Sequence, residues 1–414
     1  MIAFDLKQYQ PNDSMYLWWL GKPAAPRMIG ELRIARTVKG VSLTYGDEWL
    51  QSGFALSEDL PLITGEQLPR TRETAAGAVD DARPDRWGER VIRLLDKPPR
   101  LSILDFLFFA GDERFGALGV SVSADQYVAR DIGPLPQLAD VDELERLIHR
   151  VLAGEPLSEP QRRLIAPGVT MGGARPKALL AMENRAWVLK FSEPGETIDM
   201  PLVEHATMTL AAQADIKVAR TFPVRLRRGH AVAVQRFDRI ADMRVHALSA
   251  NVALRAAGEE LGYPELAQLL RRRGVTQAGQ NQAEMHELFR RMVFNILVDN
   301  TDDHEKNHAL LMTDSGEYAL SPSFDVLPSG QALGYQQMRV GINGADSTID
   351  NALSECRQFG LDRGAAIVAI KKVCGVVAKW KAHFANSGVD EKDIESLGAQ
   401  IDRPFLREQR ETYF

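Results

Sequence analysis

Apolar residues recur at helical spacing from Met285 to Leu297, through Leu288, Phe289, Met292, Val293 and Ile296, and then stop. Positions i, i+3, i+4 and i+7 share one face of a helix, so this stripe demands a core beside it. Beyond the stripe the chain turns almost wholly polar: Asn300-Thr-Asp-Asp-His-Glu-Lys-Asn307. A chain that leaves a buried helix directly into such a loop holds it at the edge of a rigid scaffold, where functional loops sit. His308-Ala-Leu-Leu-Met312 and Tyr318-Ala-Leu-Ser321 then read as strands joined by Thr313–Glu317. That hairpin would return Asp325 to the neighbourhood of Asn307.

Two acids and an amide brought together in this way are the inventory of phosphoryl transfer. One carboxylate orients or deprotonates the attacking hydroxyl, while an Asn and a second Asp hold magnesium on the phosphates. Asp302 and Asn307 are five residues apart. The protein-kinase loop H-R-D-x-x-x-x-N has the same spacing, although its His-Arg is missing here. Lys306 could neutralise phosphate charge, and His304 could bond a nucleotide or brace the loop. The same residues also fit a solvated loop or a metal site of another kind.

Two further stretches carry the same chemistry. In Gly168-Val-Thr-Met-Gly-Gly-Ala-Arg-Pro-Lys177, Gly172 and Gly173 let the backbone approach a ligand, while Arg175 and Lys177 add positive charge. This composition suits a phosphate cradle and equally an ordinary turn before a strand. Lys190 sits in the apolar strand Trp187-Val-Leu-Lys-Phe191, one hairpin downstream. Kinase folds carry the lysine that pairs the phosphates on such a strand; a sheet-edge lysine is the alternative. Glu204, on the following helix, could pair with it. Ala231-Val-Ala-Val-Gln-Arg-Phe-Asp-Arg239 runs from an apolar strand into a polar segment, where a bilobal kinase has the hinge that meets adenine.

At 414 residues the chain exceeds a single hydrophobic core. The first ~55 residues read as β structure, with Met15–Leu20, Met28–Ile34 and Val41–Tyr45 as strands and Lys39-Gly40 as a turn. Asp81–Trp87 looks like a helix start, and Asp131–Pro136 a linker. A helix should begin at Asp140, whose side chain would cap it, and end at Gly154. Strands are expected at Ala178–Met182 and Trp187–Phe191, a helix at Leu202–Ala214, and mainly helices beyond residue 245. The net charge of −6 excludes a polycation built to coat nucleic acid. Arg271-Arg272-Arg273 reads as the solvated end of a helix. Two cysteines without ligand-like neighbours fit a reducing compartment. Neither a signal peptide nor a membrane span is expected, which points to the cytoplasm.

Taken in order, these pieces resemble the HipA family of bacterial serine/threonine kinases, toxins of type II toxin–antitoxin systems. The resemblance rests on Gly172–Lys177, Val188-Leu-Lys190, Gln235-Arg-Phe-Asp-Arg239, Asn300–Asn307 and Leu320-Ser-Pro-Ser-Phe-Asp325. Ala76–Gly88 and Phe115-Gly-Ala-Leu118 look like the family's N-terminal domain. The resemblance implies an α+β, bilobal protein-kinase-like fold with a mixed N-lobe, a mainly helical C-lobe and a small β-rich N-terminal domain. Its divisions would be 1–130 for the N-terminal domain, 131–240 for the N-lobe and 241–414 for the C-lobe.

Asp302 would be the catalytic base, and Asn307 and Asp325 the Mg2+ ligands. Residues of the nucleotide site would be Gly172, Gly173, Ala174, Arg175, Pro176, Lys177, Lys190, Gln235, Arg236, Phe237, Asp238, His304, Lys306, Asn307 and Asp325. ATP and Mg2+ would be the cofactors, and the acceptor a protein such as an aminoacyl-tRNA synthetase. A small helix-turn-helix antitoxin would be the partner and would carry most of the contact with operator DNA. Thr170 matches the family's autophosphorylated serine, and its extra methyl group implies slower self-inactivation. Two rivals remain: a small-molecule kinase on the same scaffold, and a non-catalytic nucleotide-binding co-repressor.

Overall fold

A computed structural model describes residues 2–4, 8–130, 133–165 and 173–413. The chain packs as two compact units, residues 1–191 with 235–248, and residues 192–234 with 249–414.

The first unit is built on a five-stranded antiparallel sheet. Ser14–Trp19, Arg27–Ala35 and Gly40–Tyr45 form a meander, Glu66–Gln67 pairs on one side, and Leu118–Ser121 returns to pair with the first strand. Met15, Leu17, Ile29, Leu32 and Leu43 are buried, as the expected strands require. Ser102 and Asp105 close a reciprocal cap on the helix Ile103–Phe109, whose residues from Leu104 onward are all buried. The helix Arg86–Leu95 starts at Asp85, whose side chain accepts the Gly88 N–H at 2.6 Å.

The helix Val141–Leu152 forms where expected and buries Leu144, Leu147, Ile148 and Val151, but Asp140 does not cap it. Asp140 already has helical backbone angles, and its carboxylate reaches back to the Gln137 N–H at 2.7 Å. The preceding turn Leu138–Asp140 is the true entry, with Gln137 as its cap. Asp140 is the third residue of that turn and closes its capping box, so its carboxylate serves the turn before it rather than the helix after it.

Lys177–Met182 and Arg185–Lys190 form the expected hairpin. Its two turn residues, Glu183 and Asn184, have φ of 53° and 55°. Both central residues being left-handed marks the type I′ turn that matches strand twist.

The second unit is mainly helical. Gln280–Leu297 is its axis, packed by Tyr263–Arg273, Ile349–Ser354, Arg363–Val377 and Pro404–Thr412. Every residue of the sequence stripe from Met285 to Leu297 is buried. Met200–Gln213 starts at Asp199 with Pro201 in its first turn. Arg271, Arg272 and Arg273 close their helix exposed to solvent, and Arg272 pairs with Glu259 at 2.9 Å. Among the described residues, no helix is long and apolar enough to cross a membrane.

Candidate active site

The axial helix of the second unit ends because Asp299 turns left-handed at φ 60°. Asn300 then folds back: its N–H bonds the Asn295 carbonyl at 2.9 Å, and its amide donates to Asn295 Oδ1 at 3.1 Å. Ser329 pins the other side. Its Oγ donates to the Asp299 carbonyl at 3.0 Å and lies 2.6 Å from Thr301 Oγ1. The Arg403 guanidinium holds Asp299 at 2.6 Å. At its far end the loop becomes a single 3-10 turn, Glu305–Asn307, where His304 Nδ1 accepts the Lys306 N–H at 3.2 Å. This bond braces the loop.

Asp302 and Asp303 are neighbours in sequence with opposite surroundings. Asp303 is buried, accepts a bond from the Tyr263 hydroxyl, and meets His308 Nε2 at 2.9 Å. Asn295 in turn donates to the Tyr263 oxygen at 3.2 Å. Burial and the adjacent Asp303 charge push the Tyr263 hydroxyl far up its titration range, so it stays a donor. Asp302 is exposed. Partial burial raises its carboxyl above the ordinary range; His304 opposes this, and the charges of Asp325 and Asp303 add to it.

The hairpin Ala309–Met312 and Tyr318–Leu320 is antiparallel, and Ser321 N–H continues it by bonding the Ala309 carbonyl at 2.9 Å. Ser323 is then tied to Lys217 and Ala219 by backbone bonds of 2.7 and 2.8 Å. Asp325 follows in the left-handed region at φ 59°, and its charge acts on Asp302. The return of Asp325 to the loop, expected from the hairpin alone, is therefore present. Asn307 is buried, while Lys306 is exposed.

A magnesium ion fits this arrangement. Asn307 and Asp325 offer hard oxygen ligands, and a dication there would offset the charges of Asp325 and Asp303 that add to the raised Asp302 carboxyl. Among the described residues, no group of three His, Cys, Asp or Glu is arranged to hold a metal. An ion held by an amide and one carboxylate would take its remaining ligands from phosphate and water, as magnesium commonly does.

In the first unit, Gly173 to Lys177 lead into the hairpin; Thr170 and Gly172 lie outside the described residues. Gly173 is left-handed at φ 83°, and Ala174 is exposed beside it. Lys177 is buried. Its Nζ lies 3.1 Å from Asp85 and donates to the Gly173 carbonyl at 3.2 Å, so the ammonium props the loop from within. The Trp87 indole donates to the Lys177 carbonyl at 2.8 Å. Lys190 is also buried and stands directly opposite Lys177 in the hairpin register. Two buried cations facing each other draw negative charge. Asp85 supplies one such charge.

Gln235 and Phe237 are half-buried, whereas Arg236 and Asp238 are buried and bonded to each other at 2.8 and 2.9 Å. Their side chains belong to an internal ion network, while the Arg236 N–H bonds the Ala186 carbonyl and the Val245 N–H bonds the Asp238 carbonyl, both at 3.0 Å. Sequence reasoning missed this network, as it missed the Tyr263–Asp303–His308 group. The adjacent Asp pair was the available signal for the second, since two vicinal carboxylates rarely share one environment.

Residues 169–380 match the family model of the HipA-like C-terminal domain, and residues 24–121 that of the HipA N-terminal domain. The first match alone covers more than half of the chain. The chain belongs to the HipA family. Its structure is similar to that of HipA from Shewanella oneidensis MR-1, solved with HipB and operator DNA. The TM-score is 0.65 at 19% identity, over 96% of this chain and 99% of that one. A looser likeness, TM-score 0.44 at 16% identity, links 59% of the chain to 93% of the Helicobacter pylori proinflammatory kinase CtkA. The α+β class expected for this HipA-family chain is borne out, and its fold is that of the Shewanella HipA.

Proposed function

We propose that this HipA-family chain is an ATP-dependent serine/threonine protein kinase acting as the toxin of a toxin–antitoxin module. The observation that carries the reading is the division of labour in the loop: Asp303 is locked inside by Tyr263 and His308, while Asp302 stands exposed with Asp325 acting on it.

In this reading Asp302 accepts the proton of the acceptor hydroxyl and aims its oxygen at the γ-phosphate. Asn307 and Asp325 would hold Mg2+, which supplies neutralisation of phosphate charge. Lys190 and the loop Gly172–Lys177 bind the phosphates, and the backbone of Gln235 to Phe237 receives adenine. His304 keeps the turn in shape, and the exposed Lys306 meets phosphate charge. The division into an N-terminal domain 1–130, an N-lobe 131–240 and a C-lobe 241–414 belongs to the same proposal, as does work in the cytoplasm.

The acceptor would be a translation component such as an aminoacyl-tRNA synthetase, and the partner a helix-turn-helix antitoxin bound to operator DNA. The Shewanella HipA structure, which contains HipB and its operator DNA, supports the partner. The decisive experiment expresses the wild type, Asp302→Ala and Asp325→Ala from the same promoter. Growth arrest by the wild type alone is expected, with phosphopeptides that vanish in both variants. Equal arrest by all three would refute kinase-dependent toxicity.

A further inference from the structure

The run Gln235-Arg-Phe-Asp-Arg239 is held in place by one short stretch of the same unit, residues 112–116. Arg236 donates to the Glu113 carbonyl at 3.1 Å and to the Arg114 carbonyl at 2.9 Å, and pairs with the Glu113 carboxylate at 3.2 Å. Asp238 accepts the Gly116 N–H at 2.8 Å. Arg239 donates to the Arg114 and Gly116 carbonyls at 2.8 and 3.0 Å. Arg244 reaches the Asp112 carbonyl and lies 3.5 Å from Glu113. Phe115 meets the Phe237 ring edge-on at 6.2 Å.

The chemistry of this contact is one-sided. Three guanidinium groups, Arg236, Arg239 and Arg244, converge on two carboxylates, Glu113 and Asp238. Burial pushes both carboxyls up, but the arginines more than offset it and hold both below their ordinary range. Gly116 is left-handed at φ 76°, which turns its N–H and carbonyl toward the two clients, Asp238 and Arg239. Charged hydrogen bonds in a water-poor interior fix direction as well as distance. The backbone from 236 to 239 is therefore templated by residues 113–116, all of which lie within the stretch matched to the HipA N-terminal domain.

We infer that Glu113 and Phe115 are positioning residues that set the nucleotide affinity of the 235–237 segment, so that the N-terminal domain tunes ATP binding without touching ATP. This rests on the reading of Gln235 to Phe237 as the adenine-binding backbone. Recognition by backbone groups tolerates displacements of only about half an ångström, so a template that loosens is felt as lost affinity. Phe115 controls the Phe237 ring, and Glu113 controls the pitch of Arg236.

The test uses the full chain carrying Phe115→Leu or Glu113→Gln, with ATP and a protein acceptor, reading KM for ATP, kcat at saturating ATP, and melting temperature. Phe115→Leu keeps the ion network intact and guards against a Glu113→Gln variant that folds poorly. The expected result is a KM for ATP raised about tenfold with kcat nearly unchanged, the pattern of lost uniform binding, and in Phe115→Leu an unshifted melting temperature. An unchanged KM, or a kcat that falls together with the melting temperature, overturns the inference while leaving the kinase reading standing. A wild type that neither binds nor turns over ATP overturns the kinase reading, and this inference with it.

Discussion

The Arg236–Asp238 cluster of the first unit and the Asp302 loop of the second are both dense in charge, and they handle it in opposite ways. In the cluster each carboxylate is surrounded by guanidinium groups and is held below its ordinary titration range. At Asp302 partial burial raises the carboxyl, His304 opposes this, and two neighbouring carboxylates add to it. Charge neutralised within the fold makes structure. Charge of one sign gathered at an exposed loop makes a place for an ion or a reaction.

The sharpest break of that comparison is Asp302→Asn. Phosphate transfer to a protein acceptor should fall by about a thousandfold, within the range expected for a general base, as read by radiolabelled ATP. Asp238→Ala should instead act on folding. Removing one member of a buried charge network destabilises by about 3–5 kcal/mol, measurable by denaturant unfolding of the first unit. If Asp238→Ala left stability intact and abolished only catalysis, the two regions would have exchanged roles.

Tyr263→Phe sharpens the contrast inside the loop. It strips a donor from the buried Asp303, at about 1–3 kcal/mol, and should lower kcat with little change in KM for ATP. A fourth outcome concerns pH. Because Asp302 must be ionised to accept a proton and its carboxyl is raised, the acidic limb of kcat/KM should lie above the ordinary aspartate value of about 3.9. The smallest effect is on stability. A carboxyl raised in the folded state favours folding when protonated and ceases to do so as pH rises through its folded value. Asp302→Asn should therefore raise the melting temperature slightly at neutral pH, even as it abolishes activity.

Local patterns carried much of the fold. The helical stripe ending at Leu297, the hairpin around Glu183-Asn184 and the three N-terminal strands were legible because each is set by neighbours in sequence. The loop and the return of Asp325 were legible for the same reason. What stayed hidden is tertiary. Nothing near Lys177 announces Asp85, 92 residues away, and nothing near Asp238 announces Gly116. The sequence could not say which of Asp302 and Asp303 faces outward, since that depends on Tyr263, 40 residues from Asp303. Asp140 was misread because a capping side chain looks the same whether it serves the helix after it or the turn before it.

Asp299 and Asp325 bracket the candidate site, and both sit at φ near 60°. Glycine occupies that region without the crowding that a Cβ brings, so Asp325→Gly relaxes the backbone as it removes the proposed magnesium ligand. The main-chain crowding and the usefulness of the carboxylate thus reside in one residue, so a glycine at 325 would ease the backbone only by giving up the group the proposed chemistry needs.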